Sequence, residues 1–173
     1  MYHVAKPTPD QLRWQDMELG VIIHYCMDIY NPDCKHIKNA EVATEIPPEK
    51  INPKHLDVDQ WLRAAKAMGA KYAVLVATSL WPTAENDYCT RSLAWKEGKG
   101  DICRDFIAAC QKYDIKPGFY YSTGCNGYYD INDGTIRGEY RTEKYREYVR
   151  HVEAQVTELW TEYGELFEIW IDG

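Results

Sequence analysis

The sequence predicts an α/β fold of the (β/α)8 TIM-barrel type, of which the first four βα units are present. Three observations carry that prediction. Four short apolar runs begin at residues 20, 71, 117 and 167, an amphipathic helical pattern precedes each of the last three, and polar or aromatic side chains gather at the C-terminal ends of the runs. Repeated right-handed βα units fit either a doubly wound sheet or a barrel. His24, Tyr120 and Asp172 sit at or near strand C-termini, the face on which barrels carry their chemistry, and this favours the barrel. A complete barrel takes about 250 residues, so 173 residues correspond to the first half.

The runs Gly20 to Tyr25 (GVIIHY), Lys71 to Ala77 (KYAVLVA), Pro117 to Ser122 (PGFYYS) and Phe167 to Asp172 (FEIWID) are rich in β-branched and aromatic residues. Such runs read as parallel strands buried on both faces. Between them lie three helical stripes: Val58, Trp61, Leu62 and Ala65; then Cys103, Phe106, Ile107 and Cys110; then Tyr145, Tyr148, Val149, Val152, Val156, Leu159, Trp160 and Tyr163. Each has an N-cap residue, Asp57 with Gln60 three positions on, Asp101, and Thr142, and Gly69 and Gly164 stand where C-terminal caps are expected. The segments Cys26 to His55 and Thr123 to Arg141 are then long βα loops over a pocket.

Composition narrows the function classes. A chain with 45% hydrophobic and 13% aromatic residues can bury one sizeable core, so a single domain is expected. A formal net charge of -7 argues against nucleic acid, which would need clustered Lys and Arg. No segment approaches the length of a membrane span, and residues 1–7 contain no apolar signal core, so the expectation is a cytoplasmic protein, or a periplasmic or secreted one if the N-terminus is incomplete. The six cysteines form no C-x-x-C pair and read as free thiols, with Cys103 and Cys110 on one buried helix face. Cys26, Cys34 and His36 are too loosely spaced to make a metal site. Asp130 to Arg141 fails as a calcium loop, since its spacing is one residue short and its twelfth position is Arg141, and Gly98-Lys99-Gly100-Asp101 lacks the spacing of a phosphate loop.

The last strand carries the sharpest chemical signal. Glu168-Ile169-Trp170-Ile171-Asp172-Gly173 is an apolar strand ending in one carboxylate, which is how a barrel presents a nucleophile. The blocks Gly20-Val21-Ile22-Ile23-His24, Leu56-Asp57-Val58-Asp59-Gln60-Trp61, Ala64 to Tyr72, Leu80-Trp81-Pro82-Thr83, Gly98-Lys99-Gly100-Asp101, Gly118-Phe119-Tyr120-Tyr121-Ser122 and Trp170-Ile171-Asp172-Gly173 follow in that order. Together they resemble the N-terminal half of the catalytic barrel of α-L-fucosidases of glycoside hydrolase family 29. The resemblance covers essentially the whole chain, so residues 1–173 read as one domain, part of a glycoside hydrolase catalytic barrel.

The resemblance implies release of terminal L-fucose from glycans with net retention, on a fucosylated glycan or glycoside as substrate and with no metal or organic cofactor. It implies that Asp172 is the nucleophile, that His24 binds fucose hydroxyls, and that Tyr120 lines the sugar pocket. Trp81 is a candidate for covering the apolar C–H face of the sugar. The sequence departs from the family in two places. Ala77-Thr78-Ser79 runs directly into Leu80-Trp81-Pro82, where the family inserts a Lys-His-His-Asp-Gly-Phe or His-x-Ser-Gly-Phe segment with a sugar-binding His, and no residue here is assigned as acid/base.

Without the resemblance, His24 reads as a hydrogen-bonded core histidine, Tyr120 as ordinary packing and Asp172-Gly173 as a turn signal. The competing expectation is a truncated, non-catalytic half-barrel that binds sugar or self-associates as a homo-oligomer, because its two open sheet edges invite pairing.

Overall fold

The computed structural model describes residues 5–25, 30, 48–78, 80–124, 126, 129, 131–132, 135–136 and 142–173. Four strands, β1 (Gly20–Ile23), β2 (Tyr72–Val76), β3 (Lys116–Ser122) and β6 (Glu168–Asp172), form one parallel sheet in the order β1-β2-β3-β6. These are the four apolar runs, with ends within two residues of expectation. The strands lie side by side in chain order; a doubly wound sheet reverses direction partway, and no reversal occurs among the described strands.

Register places side chains on the two faces. Val74 pairs with Gly118, Gly118 with Glu168, Tyr120 with Trp170 and Ser122 with Asp172. Because side chains alternate with period two, Ile22, Val74, Val76, Gly118, Tyr120, Trp170 and Asp172 share one face, and Ala73, Leu75, Phe119 and Tyr121 share the other. The second face is the helix-covered core. Phe119 packs against Phe106 with ring centres 5.9 Å apart and edge-on against Tyr163 at 5.6 Å.

Three helices supply that cover: α2 (Val58–Ala67), α3 (Ile102–Tyr113) and α4 (Glu143–Glu162). Their N-caps are the expected ones. Asp57 accepts from Gln60 N–H at 2.9 Å, Asp101 from Arg104 N–H at 2.8 Å and Thr142 from Tyr145 N–H at 3.3 Å, each satisfying a helix-start amide that has no carbonyl partner. Gly69 and Gly164 follow α2 and α4 with φ of 91° and 85°, whereas α3 ends on Asp114 at φ 51°, a left-handed cap without glycine. Cys103 and Cys110 lie buried in α3, and burial pushes the Cys110 thiol up to about 12.

The structure adds a further helix and a small second sheet, besides short 3-10 turns at Pro48–Lys50, Thr90–Ser92 and Trp95–Gly98. Helix α1 (Pro9–Asp16) starts from a reciprocal capping box between Thr8 and Gln11, with Pro9 in its first turn. It buries no residue, so no apolar stripe announced it; its Trp14 donates from Nε1 to Glu168 Oε2 at 3.2 Å and leans on Tyr72. The segment expected as one long loop after β3 contains an antiparallel pair, β4 (Ile131–Asn132) with β5 (Thr135–Ile136). Asp130, Asp133, Gly134 and Arg141 of the rejected calcium-loop motif lie outside the described residues. Cys26, Cys34, His36 and Cys125 lie outside the described residues. No described helix is long and apolar enough to cross a membrane.

Helix α4 differs from its expected stripe. Its buried residues are Tyr148, His151, Gln155 and Leu159, so two polar side chains occupy the middle of the buried face, with Val152, Val156 and Trp160 half-buried beside them. They are used. Gln155 Oε1 accepts from Tyr121 Oη at 2.7 Å, and its Nε2 donates to Thr83 Oγ1 at 3.3 Å. His151 Nε2 lies 3.2 Å from Asn86 Nδ2. Glu158 accepts from Trp81 Nε1 at 2.8 Å and from Ala84 N–H at 3.0 Å. These bonds fasten the segment after β2 to α4.

His151 is 3% exposed. Burial holds its imidazole below the ordinary value of 6.5, against the opposing pull of Glu158, Gln155 and Glu147. The unfolded chain therefore takes up the proton first: stability is full above 6.5 and is lost as pH falls through the lower folded value. Lowering pH from about 7 to 5 is expected to lower the melting temperature, and His151→Gln is expected to flatten that decline. An unchanged slope in His151→Gln would remove His151 as its source.

The sheet leaves apolar surface uncovered. Ile22 and Trp170 on one face and Ile169 and Ile171 on the other are each about half exposed. Isolated residues 1–173 are therefore expected to elute as dimers or larger species on a sizing column with light scattering. A monodisperse monomer would contradict this.

Candidate active site

Asp172 ends β6 opposite Ser122, and Tyr120 lies one pleat back on β3. Tyr120 Oη donates a short hydrogen bond to Asp172 Oδ2. The pairing follows from register: Tyr120 opposes Trp170 and Ser122 opposes Asp172, so the phenol lies diagonal to the carboxylate on the same face. The hydrogen bond engages one carboxylate oxygen, Oδ2.

His24 leaves the end of β1 and faces the same group. Its ring centre is 6.3 Å from that of Tyr120, tilted by 53°, and Trp170 lies on the other side of Tyr120 at 5.9 Å. His24, Tyr120 and Trp170 thus make a row of rings across three strand ends, with the Asp172 carboxylate at one side. His24 and Asp172 are exposed and Tyr120 is half-buried. Such a row offers hydrogen-bonding groups for hydroxyls, an apolar indole for a C–H face, and one nucleophilic oxygen. The structure thus brings together three of the four candidate residues.

Trp81 is the exception. It is 2% exposed, lies in the core, and turns its Nε1–H to Glu158 on α4. In this structure Trp81, the residue expected to cover the sugar, is buried away from the other three candidates and anchors the loop to α4. Trp170 has the exposed surface instead. Its period-two spacing from Asp172, which puts both on one face, was the signal for it in the sequence.

The main chain around Asp172 is equally constrained. Its carbonyl accepts from Thr123 N–H at 2.6 Å and from Gly124 N–H at 3.3 Å. A Cβ on Gly173 would lie 2.2 Å from Thr123 Oγ1, so glycine follows the carboxylate because the β3 loop approaches it closely. Where the family pattern inserts its His-containing segment, this chain closes a tight turn, with Leu80 N–H donating to Ala77 O at 2.7 Å. Thr78 Oγ1 there accepts from Ser122 N–H at 3.3 Å. No group of three or more His, Cys, Asp or Glu side chains suited to a metal ion occurs among the described residues.

Known proteins are similar to this chain in sequence and in fold. The sequence profile of the α-L-fucosidase family matches residues 13–173. Alpha-L-fucosidase 1 of Arabidopsis thaliana is 31% identical over 96% of this chain and 31% of its own length. A solved structure from Bacteroides thetaiotaomicron, provisionally assigned as an α-L-fucosidase, superposes with a TM-score of 0.84 at 39% identity, covering 96% of this chain and 40% of that one. A glycoside hydrolase 29 family member from an unknown rumen bacterium gives 0.75 at 32% identity over 96% of this chain and 28% of its own. The chain spans about a third of the curated relative's length, and it belongs to the α-L-fucosidase family.

Proposed function

We propose that the full-length protein is a retaining α-L-fucosidase built on a (β/α)8 barrel, and that residues 1–173 supply its first four βα units and its nucleophile. The observation that carries the reading is the Tyr120–Asp172 hydrogen bond at the C-terminal end of the sheet, with His24 and Trp170 flanking it. The sequential parallel sheet supports the barrel, as do the apolar residues exposed on both faces of β6.

In the mechanism an Asp172 oxygen attacks the anomeric carbon of the fucoside. The bond to the leaving oxygen breaks as a general acid protonates that oxygen, and an acylal ester links fucose to Asp172. Water then attacks the same carbon, giving its proton to the same residue acting as base; the ester bond breaks, the carboxylate is regenerated, and two inversions give net retention. The acid/base group must stand about 5–5.5 Å from the nucleophile. Tyr120 fixes the carboxylate rotamer through its O–H, and the exposed His24 ring hydrogen-bonds fucose hydroxyls.

In the full-length protein, Asp172→Ala is expected to lower turnover of nitrophenyl α-L-fucoside by roughly 10³-fold or more. Azide, a small nucleophile able to enter the space left by the carboxylate, is expected to restore part of the activity. Near-parental activity in Asp172→Ala would remove Asp172 from the role. Turnover of the β-galactoside in place of the α-L-fucoside would overturn the sugar assignment.

A further inference from the structure

The side chain of Asp172 is oriented by Tyr120, but its backbone is held by a separate path that begins on α4. Thr123 contacts the Asp172 carbonyl twice, through its amide at 2.6 Å and through its hydroxyl at 3.0 Å, and Gly124 N–H adds a third bond at 3.3 Å. Three donors on one carbonyl fix the plane of the peptide that follows Asp172. Thr123 is itself held from behind, where its own carbonyl accepts from Tyr148 Oη at 2.7 Å.

Tyr148 is placed to act as a fixed point. It is buried on α4, and its ring packs on Tyr129 at 5.4 Å, which in turn packs on His151 at 4.7 Å. The helix beneath it is tied to the sheet by the Tyr121–Gln155 bond.

We propose that Tyr148 is a positioning residue for Asp172, acting through Thr123 to hold the tip of β6 where the carboxylate meets both Tyr120 and the anomeric carbon. This rests on the reading of Asp172 as the nucleophile. The role follows from the sensitivity of bond-forming steps to placement, since a shift of about 1 Å in a reacting group can cost on the order of a hundredfold in rate. The Tyr148 hydroxyl bonds to the Thr123 carbonyl and not to the Asp172 carboxylate, whose hydrogen bond comes from Tyr120. Its removal therefore lowers the rate of the chemical step and leaves substrate binding near its parental strength.

The test uses the full-length protein and nitrophenyl α-L-fucoside, with rates normalised to competent sites by the nitrophenol burst, so that any misfolded fraction drops out. Tyr148→Phe, which keeps the ring and removes the O–H, is expected to lower kcat roughly tenfold with KM within about twofold. Thr123→Val is expected to do the same, and Thr123→Ser, which retains a hydroxyl, to recover most of the loss. Parental kcat per site in both Tyr148→Phe and Thr123→Val, even with a lower melting temperature, would overturn the positioning role. So would equal losses in Thr123→Val and Thr123→Ser. Asp172→Asn separates the two readings: if it is active, the nucleophile assignment falls and takes the positioning role with it. If it is inactive while Tyr148→Phe and Thr123→Val keep parental kcat, only the positioning role falls.

Discussion

The register between β3 and β6 is the constraint on which the site depends. Tyr120 opposes Trp170 and Ser122 opposes Asp172, so the phenol, the indole and the carboxylate share one sheet face. A slip of one residue would send Trp170 and Asp172 to the helix side and bring Ile169 and Ile171 in their place. Gly118 helps to secure the alignment. A Cβ there would lie 2.8 Å from the Glu168 carbonyl, so the absence of a side chain permits the close approach of the strands beneath the site.

The opposite face does the supporting. Phe119 and Tyr121 alternate with Tyr120 along β3 and point into the core, where Phe106, Tyr163 and Gln155 meet them. Burying Gln155 and His151 in mid-helix is costly unless their polar atoms find partners. The partners of Gln155 and of His151 Nε2 lie on Tyr121 and on the segment after β2, so these bonds also fix the loop that carries Trp81, Thr83 and Asn86, while His151 Nδ1 is buried without a hydrogen-bond partner among the described residues. These buried polar bonds link the back of the sheet to the segment after β2.

Much of this was legible in the sequence, for reasons that differ by element. The four strands were readable because parallel strands are apolar throughout, and the starts of α2, α3 and α4 because Asp57, Asp101 and Thr142 cap them with their own side chains. Helix α1 escaped because it buries nothing, although Thr8-Pro9 with Gln11 spells its capping box. The β4–β5 pair was missed because its strands are two residues long. At the site, Asp172, His24 and Tyr120 stood out by residue type and strand-end position. Which of them touch was not legible, because contact depends on register between strands fifty-two positions apart in the chain. That Trp81 lies apart from them was not legible either; an indole N–H needs a partner when buried, and Glu158, in the last two turns of a distant helix, is that partner.

The central claim is that Asp172 forms the covalent bond to the sugar. The full-length protein should be incubated with 2-deoxy-2-fluoro-fucosyl fluoride, whose fluorine slows hydrolysis of the ester more than its formation, then digested and mapped by mass spectrometry. The account predicts one fucosyl adduct per chain, on the peptide containing Trp170-Ile171-Asp172-Gly173, with fragmentation placing it on Asp172. An adduct on another carboxylate, with Asp172 unmodified, would contradict it.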